Sequence, residues 1–136
     1  MRVLIMGAAG MVGQKLLSRL ENADTGLGKI SKIYLHDMVP ANTASWSGES
    51  EVLVGNIAEA AEMQKLADLK PDLIFHLASI VSGEAELEFV KGWQVNMAGS
   101  WAFLEALRQH HEDSGGSYVP KMVFTSSIAV FGAPFP

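Results

Sequence analysis

The sequence predicts an α/β fold built on a doubly wound parallel sheet, and three observations support this. Apolar runs of strand length alternate along the chain with longer segments that have helical periodicity. The first run, residues 2–6, is almost entirely apolar, as expected of a strand that is buried on both faces. Glycines then join that strand to a predicted helix. Such alternation favours parallel strands joined by right-handed helical crossovers.

The first half of the chain contains three predicted strands and two predicted helices. The helix that follows the glycines has an apolar face and ends around residues 21–22. Residues 32–37 form the second strand, and a loop containing Pro, Ser and Gly at 38–50 leads to the third strand at 51–56. A helix is expected at 58–69, where Ala, Glu, Met, Lys and Leu predominate.

The second half contains two predicted strands around a long helical segment. Residues 73–79 form the fourth strand, and 84–112 form one long helix or two abutting helices. Residues 121–127 form the fifth strand, after which the fold is expected to be truncated. Apolar side chains recur at helical spacing within 84–112, and we expect most of them in the core and some at an interface. These apolar positions are Phe89, Val90, Trp93, Met97, Trp101 and Leu104.

Composition excludes several classes of function. A chain of 136 residues with a net charge of −5 and no basic stripe corresponds to one domain that does not bind nucleic acid. The absence of cysteine excludes disulfides, thiol nucleophiles and Cys-ligated zinc. No apolar run reaches the roughly 18–20 residues of a membrane span, and no signal-peptide pattern is present. We therefore expect a cytoplasmic protein that does not enter membranes.

The glycines after the first strand form the sharpest local motif, "GAAGMVG" at residues 7–13. Gly7 permits a tight turn, Gly10 allows a pyrophosphate to approach the backbone, and Gly13 allows the helix to pack closely on the sheet. The N–H groups of the following helical turn then face the phosphates. Turns and close packing also select glycine on their own. The position of the motif between a strand and a helix is therefore what favours a dinucleotide-binding site.

Asp37 strengthens the case for a dinucleotide site. It ends the second predicted strand, where a carboxylate accepts hydrogen bonds from the hydroxyls of an adenosine ribose. The same charge repels a 2′-phosphate, and the next residues, Met38 and Val39, supply no cation. The sequence therefore favours NAD over NADP. The alternative is an aspartate that only stabilises a turn.

Six motifs together resemble one family. In chain order they are "GAAGMVG" (7–13), Asp37, "GNI" (55–57), "PDLIFHLAS" (71–79), "NMAGS" (96–100) and "FTSSIAVFG" (124–132). Their order and spacing resemble the extended short-chain dehydrogenase/reductases, also called the NAD-dependent epimerase/dehydratase family. The resemblance implies a Rossmann-type NAD-binding fold in which 1–136 is the dinucleotide-binding domain and a C-terminal substrate region is absent. Within the family, 76–86 and 124–132 are most similar to enzymes that oxidise a sugar acid.

The resemblance also implies a set of cofactor-binding residues. They are Gly7, Gly10, Met11, Val12, Gly13, Asp37, Asn56, Ile57, Leu77, Ala78, Ser79 and Asn96. Asn56 and Ile57 would flank the adenine; many relatives have Asp at the first of these positions. The amide oxygen of Asn56 is still able to accept from the adenine amino group. Asn96 would mainly hold local structure near the active site.

Ser127 is implied to be the catalytic serine. Oxidation of a hydroxyl also needs a base, which in this family resembles the tyrosine of a Y-x-x-x-K motif. Tyr34 and Tyr118 both precede Ser127, and four residues after them stand Met38 and Met122. The tyrosine–lysine pair is therefore missing from these residues, and the 136-residue chain alone is expected to be inactive.

Several alternatives stay open at this stage. Ser82 is either a substrate contact or a helix cap. His76, inside an apolar strand, is expected to be a core histidine and not a catalytic one. No metal site is expected, because the adjacent His110 and His111 do not share a helix face.

Three functions compete. The first is NAD-dependent oxidation of a secondary alcohol on a small sugar acid, by an enzyme expected to be a homodimer. The second is a nucleotide-sugar epimerase or dehydratase that reduces NAD only transiently. The third is a dinucleotide-binding sensor without catalysis.

Overall fold

The sheet has five parallel strands. A computed structural model describes residues 1–22 and 28–127. The strands are β1 (Arg2–Met6), β2 (Lys32–Asp37), β3 (Ser50–Val54), β4 (Leu73–His76) and β5 (Lys121–Phe124). Their order in the sheet is β3-β2-β1-β4-β5, and every neighbouring pair is parallel. The order reverses direction at β1, so the prediction of a doubly wound parallel sheet is confirmed.

The helices cover both faces of this sheet. They are α1 (Met11–Asn22), α2 (Ala60–Asp68), α3 (Ser82–Leu87), α4 (Phe89–Trp93), a π-helical stretch (Gln94–Gly99) and α5 (Ser100–Asp113). The core on one face contains Leu4, Met6 and Phe103, and the core on the other contains Val3, Ile5 and Leu17. Successive residues of β1 thus alternate between the two cores, as a strand buried on both faces requires.

The prediction of one long helix or two abutting helices over 84–112 is wrong in detail, because the segment is interrupted twice. Glu88 leaves the helical conformation, with φ −121° and ψ 67°, and separates α3 from α4. The π-helical stretch then precedes α5 and ends at Gly99, where an added Cβ would lie 2.1 Å from the carbonyl oxygen of Ile57. The loop that carries Ile57 therefore comes close to the chain at the end of the π-helical stretch. Helical periodicity in the sequence does not reveal such a contact.

The apolar stripe predicted in this segment does not belong to the core. Phe89, Val90, Trp93, Met97, Trp101 and Leu104 are all at least half exposed. The buried face of α5 instead carries Phe103, Ala106 and Leu107, which pack in the core with Met63 of α2. The expectation that most of the stripe is core is therefore wrong, because the face of α5 that is buried is a different one.

Three predicted strands end earlier than expected. β3 ends at Val54 and not at residue 56. β4 ends at His76 and not at residue 79, and β5 ends at Phe124 and not at residue 127. The neighbouring β1 ends at Met6, where Gly7 turns the chain away from the sheet. Without that partner the ladder stops, and the segments after β4 and β5 become loops at the carboxyl edge of the sheet. Within the described residues, no helix is long and apolar enough to cross a membrane.

Candidate cofactor-binding and active site

The three glycines of the turn have different structural reasons to be glycine. Gly7 has φ +88°, and an added Cβ would lie 2.8 Å from Ala78 N. A Cβ on Gly13 would lie 2.3 Å from Gly7 O, so close packing excludes any side chain there. A Cβ on Gly10 would meet only Gly7 O, at an ordinary 3.4 Å. Backbone conformation and packing therefore account for glycine at positions 7 and 13. They do not account for glycine at position 10, where the close approach of a ligand would.

The start of α1 offers backbone donors at the same place. The helix begins at Met11, directly after Gly10, and its first N–H groups have no partner in a preceding turn. Met11 and Val12 are 71% and 56% exposed. The arrangement suits an anion, because N–H groups and the helix dipole both favour negative charge.

Asp37 is tied to the glycine turn. Its Oδ2 accepts a hydrogen bond from Ala9 N at 2.9 Å, and its Oδ1 accepts one from Met38 N at 2.7 Å. Each carboxylate oxygen keeps a further lone pair. The carboxylate is therefore fixed beside the glycine turn.

A pocket of about 300 Å³ lies over the glycine turn, and we call it the glycine-turn pocket. The predicted site residues that line it are Gly7, Gly10, Asp37, Asn56, Ile57, Leu77, Ala78 and Ser79. They come from the loops after β1, β2, β3 and β4, which meet at the carboxyl edge of the sheet. The topology thus brings together residues that lie up to 72 positions apart in the chain (79 minus 7).

A larger pocket of about 580 Å³ adjoins the first, and we call it the hydroxyl pocket. Residues 77–80 line both pockets, so the two share one wall. Among the predicted residues, Val12, Asn96 and Ser127 line the hydroxyl pocket as well. The wall formed by the loop after β4 therefore connects the region of Asp37 to the region of Ser127.

The hydroxyl segment after β5 forms one side of this pocket. Thr125 donates to the carbonyl oxygen of His76 twice, from its backbone N at 3.2 Å and from Oγ1 at 3.0 Å. Ser126 and Ser127 follow, and both line the pocket. Thr125 thereby anchors the segment to β4, and Ser127 is exposed at its end. The rest of the predicted motif, 128–132, lies outside the described residues.

Asn96 holds the shared wall in place. Its Oδ1 accepts from Ile80 N and its Nδ2 donates to Ile80 O, both at 2.9 Å. One side chain on the π-helical stretch thus satisfies both backbone groups of Ile80. This arrangement fixes the loop between the two pockets.

His76 is a core histidine that also lines the hydroxyl pocket. It is 2% exposed, its Nε2 lies 3.3 Å from Ser100 Oγ, and its ring lies 5.1 Å from that of Phe124. Burial lowers the pKa of His76 below its usual value near 6.5, so the ring is neutral at pH 7. The expectation of a core histidine is confirmed.

His36 is a buried residue that the sequence did not single out. It is fully buried, and its Nε2 lies 3.2 Å from Glu62 Oε1. Burial lowers the pKa of His36, and the nearby Glu62 carboxylate opposes that change. His36 and His76 are both paired in register with Met6, so they flank it on one face of the sheet. Periodicity within a single strand does not reveal such a neighbour from another strand.

Sequence reasoning also missed two polar residues of the glycine-turn pocket. Lys91 and Gln94 line it from α4 and the π-helical stretch. Lys91 forms ion pairs with Glu84 and Glu88. The sequence predicted one long helix or two abutting helices over 84–112 and did not indicate the break at Glu88.

Neither tyrosine is placed to act as a base. Tyr118 donates to Pro71 O at 2.9 Å, at the amino edge of β4 and away from both pockets. Burial raises the pKa of Tyr118 to about 12, which is the wrong direction for a proton acceptor. Tyr34 is buried in the sheet, with the Lys32 ammonium 5.0 Å from its ring centre.

The remaining predicted residues lie at the margins of the site. Among the described residues, Met11 and Gly13 line neither pocket. Ser82 is the first residue of α3, and the residue in the capping position before it is Val81.

The fold, the glycine turn and Asp37 together define a nucleotide-binding α/β protein, and the sequence comparison gives its family. Residues 3–136 match the NAD dependent epimerase/dehydratase family, so the chain belongs to this family. Its cofactor is NAD. The family inferred from the six motifs is thereby confirmed.

Individual relatives carry different activities in their names. D-erythronate dehydrogenase of Cupriavidus necator is 33% identical over the whole chain, and UDP-glucose 4-epimerase of Mycolicibacterium smegmatis is 31% identical over 98% of it. The crystal structure of a nucleoside-diphosphate-sugar epimerase from Agrobacterium tumefaciens is 45% identical, with a TM-score of 0.92 over the whole chain. The chain spans 41% of the length of the two curated relatives and 40% of that crystallised chain. These relatives support an NAD-dependent enzyme of sugar-related chemistry.

Proposed function

We propose that residues 1–136 form the dinucleotide-binding domain of an enzyme that oxidises a secondary alcohol of a small sugar acid, with NAD as the oxidant. One observation carries the proposal. The Asp37 carboxylate and the glycine turn are joined by the Ala9 N–H, and both line one pocket. A ribose acceptor and a set of phosphate donors are thereby fixed relative to each other, as an adenosine diphosphate group requires.

The residues present fit NAD along the two pockets. The glycine turn and the first turn of α1 hold the pyrophosphate, and Asp37 accepts from the ribose hydroxyls. Asn56 and Ile57 flank the adenine, and 77–79 lead the nicotinamide half towards the hydroxyl pocket. NAD supplies the hydride acceptor when it is bound. The protein positions the cofactor and the substrate. The hydrogen bonds from Asn96 to Ile80 hold the wall that the two pockets share.

Ser127 has a positioning and hydrogen-bonding role in this proposal. Its hydroxyl lines the hydroxyl pocket beyond the shared wall, where it orients the substrate hydroxyl towards the cofactor. The proton of that hydroxyl must pass to a base as the hydride leaves. Tyr118 and Tyr34 are unsuited to this task because of their placement. Neither tyrosine is therefore assigned as the base in this proposal.

The sugar-acid substrate is supported by the relatives named D-erythronate dehydrogenase, which match the whole chain. The test uses the protein at its natural length, with NAD and a panel of four- to six-carbon sugar acids. Steady accumulation of NADH with D-erythronate or a close analogue is expected. Turnover of nucleotide sugars without any oxidation of sugar acids contradicts the proposal.

A nucleotide-sugar epimerase is the second candidate, and a specific observation favours it. The crystallised relative with 45% identity is named a nucleoside-diphosphate-sugar epimerase. An epimerase returns the hydride to its substrate, so it interconverts two nucleotide sugars without net formation of NADH. Product analysis by NMR separates the two functions. A protein that binds NAD and turns over neither substrate class is a sensor.

The proposal includes a homodimer in the cytoplasm. The exposed apolar stripe of α4, the π-helical stretch and α5 supports a second copy as its occupant, because exposed apolar side chains that recur at helical spacing are typical of association sites. Light scattering of the protein at its natural length is expected to give twice the chain mass. Replacing Trp101 with Asp is expected to give a monomer, and the same change at exposed Val119 is not. A monomeric wild-type protein contradicts the dimer.

A further inference from the structure

Asn56 has a fixed orientation in the glycine-turn pocket. Its Oδ1 accepts a hydrogen bond from Ala58 N at 3.0 Å. Because a backbone N–H only donates, the oxygen of the carboxamide must face Ala58, and the NH₂ group must lie on the other side. The amide oxygen therefore already accepts one hydrogen bond and keeps one further lone pair.

The NH₂ group of Asn56 is accessible. Within residues 1–22 and 28–127, Nδ2 donates to no protein atom. In that part of the chain, the only side-chain nitrogen or oxygen atoms that are buried without a hydrogen-bond partner are the two ring nitrogens of His36. Because Asn56 Nδ2 also has no partner and is not one of these atoms, it is not buried. Asn56 itself is half-buried and lines the pocket. The side chain thus presents an unused donor there.

The position of Asn56 relative to Asp37 determines which part of a bound dinucleotide lies near this donor. Asp37 and Val54 are paired in register, and Gly55 N donates to Asp37 O at 3.0 Å. Asn56 therefore lies just after the end of β3, which pairs with the end of β2 at Asp37. It lines the same pocket as Asp37. A base attached to a ribose on Asp37 lies next to Asn56 and Ile57.

We propose that Asn56 determines the purine specificity of the dinucleotide site by presenting a hydrogen-bond donor to the 6-position of the ring. The inference rests on the proposed function of the pocket. Adenine carries an amino group at that position, which is also a donor, whereas hypoxanthine carries a carbonyl oxygen, which accepts. The site consequently binds nicotinamide hypoxanthine dinucleotide at least as tightly as NAD.

An Asp at this position would reverse the preference. The two side chains have the same shape, and one carboxylate oxygen would keep the contact to Ala58 N. The other oxygen would replace Nδ2 and present an acceptor, which suits the adenine amino group. Asn56→Asp therefore changes the hydrogen-bonding character of one atom and little else.

The experiment measures dissociation constants by calorimetry on the protein at its natural length, with NAD and with nicotinamide hypoxanthine dinucleotide. Wild type is expected to bind the hypoxanthine form equally or better, and Asn56→Asp is expected to shift the ratio of the two constants towards NAD by about tenfold or more. Asn42→Asp is the matched control, since exposed Asn42 makes the same kind of turn, with its Oδ1 2.8 Å from Ala44 N. This control is expected to leave the ratio unchanged.

The outcomes separate this inference from the proposed function. Wild-type preference for NAD by tenfold or more overturns the inference, as does an unchanged ratio in Asn56→Asp or an equal shift in Asn42→Asp. In each of those cases the proposed function stands, because both dinucleotides bind. If wild type binds neither dinucleotide, both the inference and the dinucleotide site fail. The wild-type ratio tests the inference even if Asn56→Asp does not fold.

Discussion

The Asp37 carboxylate and the Ala9 backbone N–H are joined by a hydrogen bond of 2.9 Å. The bond connects the end of β2 to the turn that follows β1. A second bond, from Met38 N to Oδ1, fixes the other carboxylate oxygen. The Asp37 carboxylate is therefore set in place before any ligand arrives, so little ordering of this side chain would oppose binding.

Replacing Asp37 with Ala is expected to weaken NAD binding by roughly tenfold to a hundredfold, because each hydrogen bond to a charged group contributes about 1.5–3 kcal/mol. Calorimetric titration of NAD measures the change. Asp72→Ala is the control, since Asp72 also accepts from a backbone N–H, that of Arg2 at 2.6 Å, at the opposite edge of the sheet. Equal losses of affinity in both variants would mean that Asp37 acts only through the fold.

Gly10 and Gly13 are expected to respond differently to an added methyl group. Gly10→Ala has room in the fold and should cost about 1 kcal/mol or less as a change at a helix cap, yet it should weaken NAD binding at least tenfold. Gly13→Ala places Cβ 2.3 Å from Gly7 O and should cost about 3 kcal/mol of stability.

Denaturant unfolding and NAD titration of both variants make the comparison. Gly83→Ala is the control, because its Cβ would meet nothing within 4 Å. Unchanged NAD affinity in a folded Gly10→Ala variant would show that the pyrophosphate does not approach Gly10.

Protonation of His76 is expected to make stability fall in mild acid. Its folded-state pKa is lowered from 6.5 by burial, so the unfolded chain binds the proton more readily. This contribution to stability is fully present above about pH 6.5 and is lost as the pH falls towards the folded-state pKa. The slope is at most about 1.4 kcal/mol per pH unit for one histidine.

Urea unfolding of wild type and His76→Asn at several pH values between 7.5 and 5 measures the effect. The variant should show a flatter dependence on pH, with the contribution of buried His36 remaining. His111→Asn, at an exposed residue, should behave as wild type. Parallel curves for wild type and His76→Asn would be inconsistent with a neutral buried ring.

Tyr118 is expected to stabilise the fold without taking part in the reaction. Tyr118→Phe removes the bond to Pro71 O and should cost about 1 kcal/mol, with kcat unchanged. Spectrophotometric titration should give a phenol with a pKa of about 12 in wild type that is missing from the variant. A large loss of kcat in the folded variant would assign Tyr118 a role that its placement argues against.

The sequence predicted the sheet and the glycine turn because both depend on short-range patterns. An apolar run followed by glycines defines β1 and its turn, and Asp37 ends β2 as expected. The sequence also predicted different roles for the three glycines, and the positive φ of Gly7 and the close packing at Gly13 agree with the roles given to those two. Only the distances from Gly13 to Gly7 O and from Gly7 to Ala78 N show which of them the fold itself requires.

Long-range contacts account for what the sequence did not predict. Helical spacing in 84–112 could not show which face of α5 meets α2, so exposed Trp101 was expected in the core. The engagement of Asn56 Oδ1 by Ala58 N depends on the local course of the backbone after β3. The pairing of Met6 with His36 and His76 depends on the strand order.

The proposed reaction is tested most directly by the formation of NADH from NAD and D-erythronate by the protein at its natural length, compared between wild type and Ser127→Ala. We expect NADH to accumulate with wild type. In the variant kcat should fall roughly a hundredfold, because the substrate hydroxyl is no longer held in place, while NAD affinity stays the same. Absence of NADH with every sugar acid, together with interconversion of nucleotide sugars, would contradict the account.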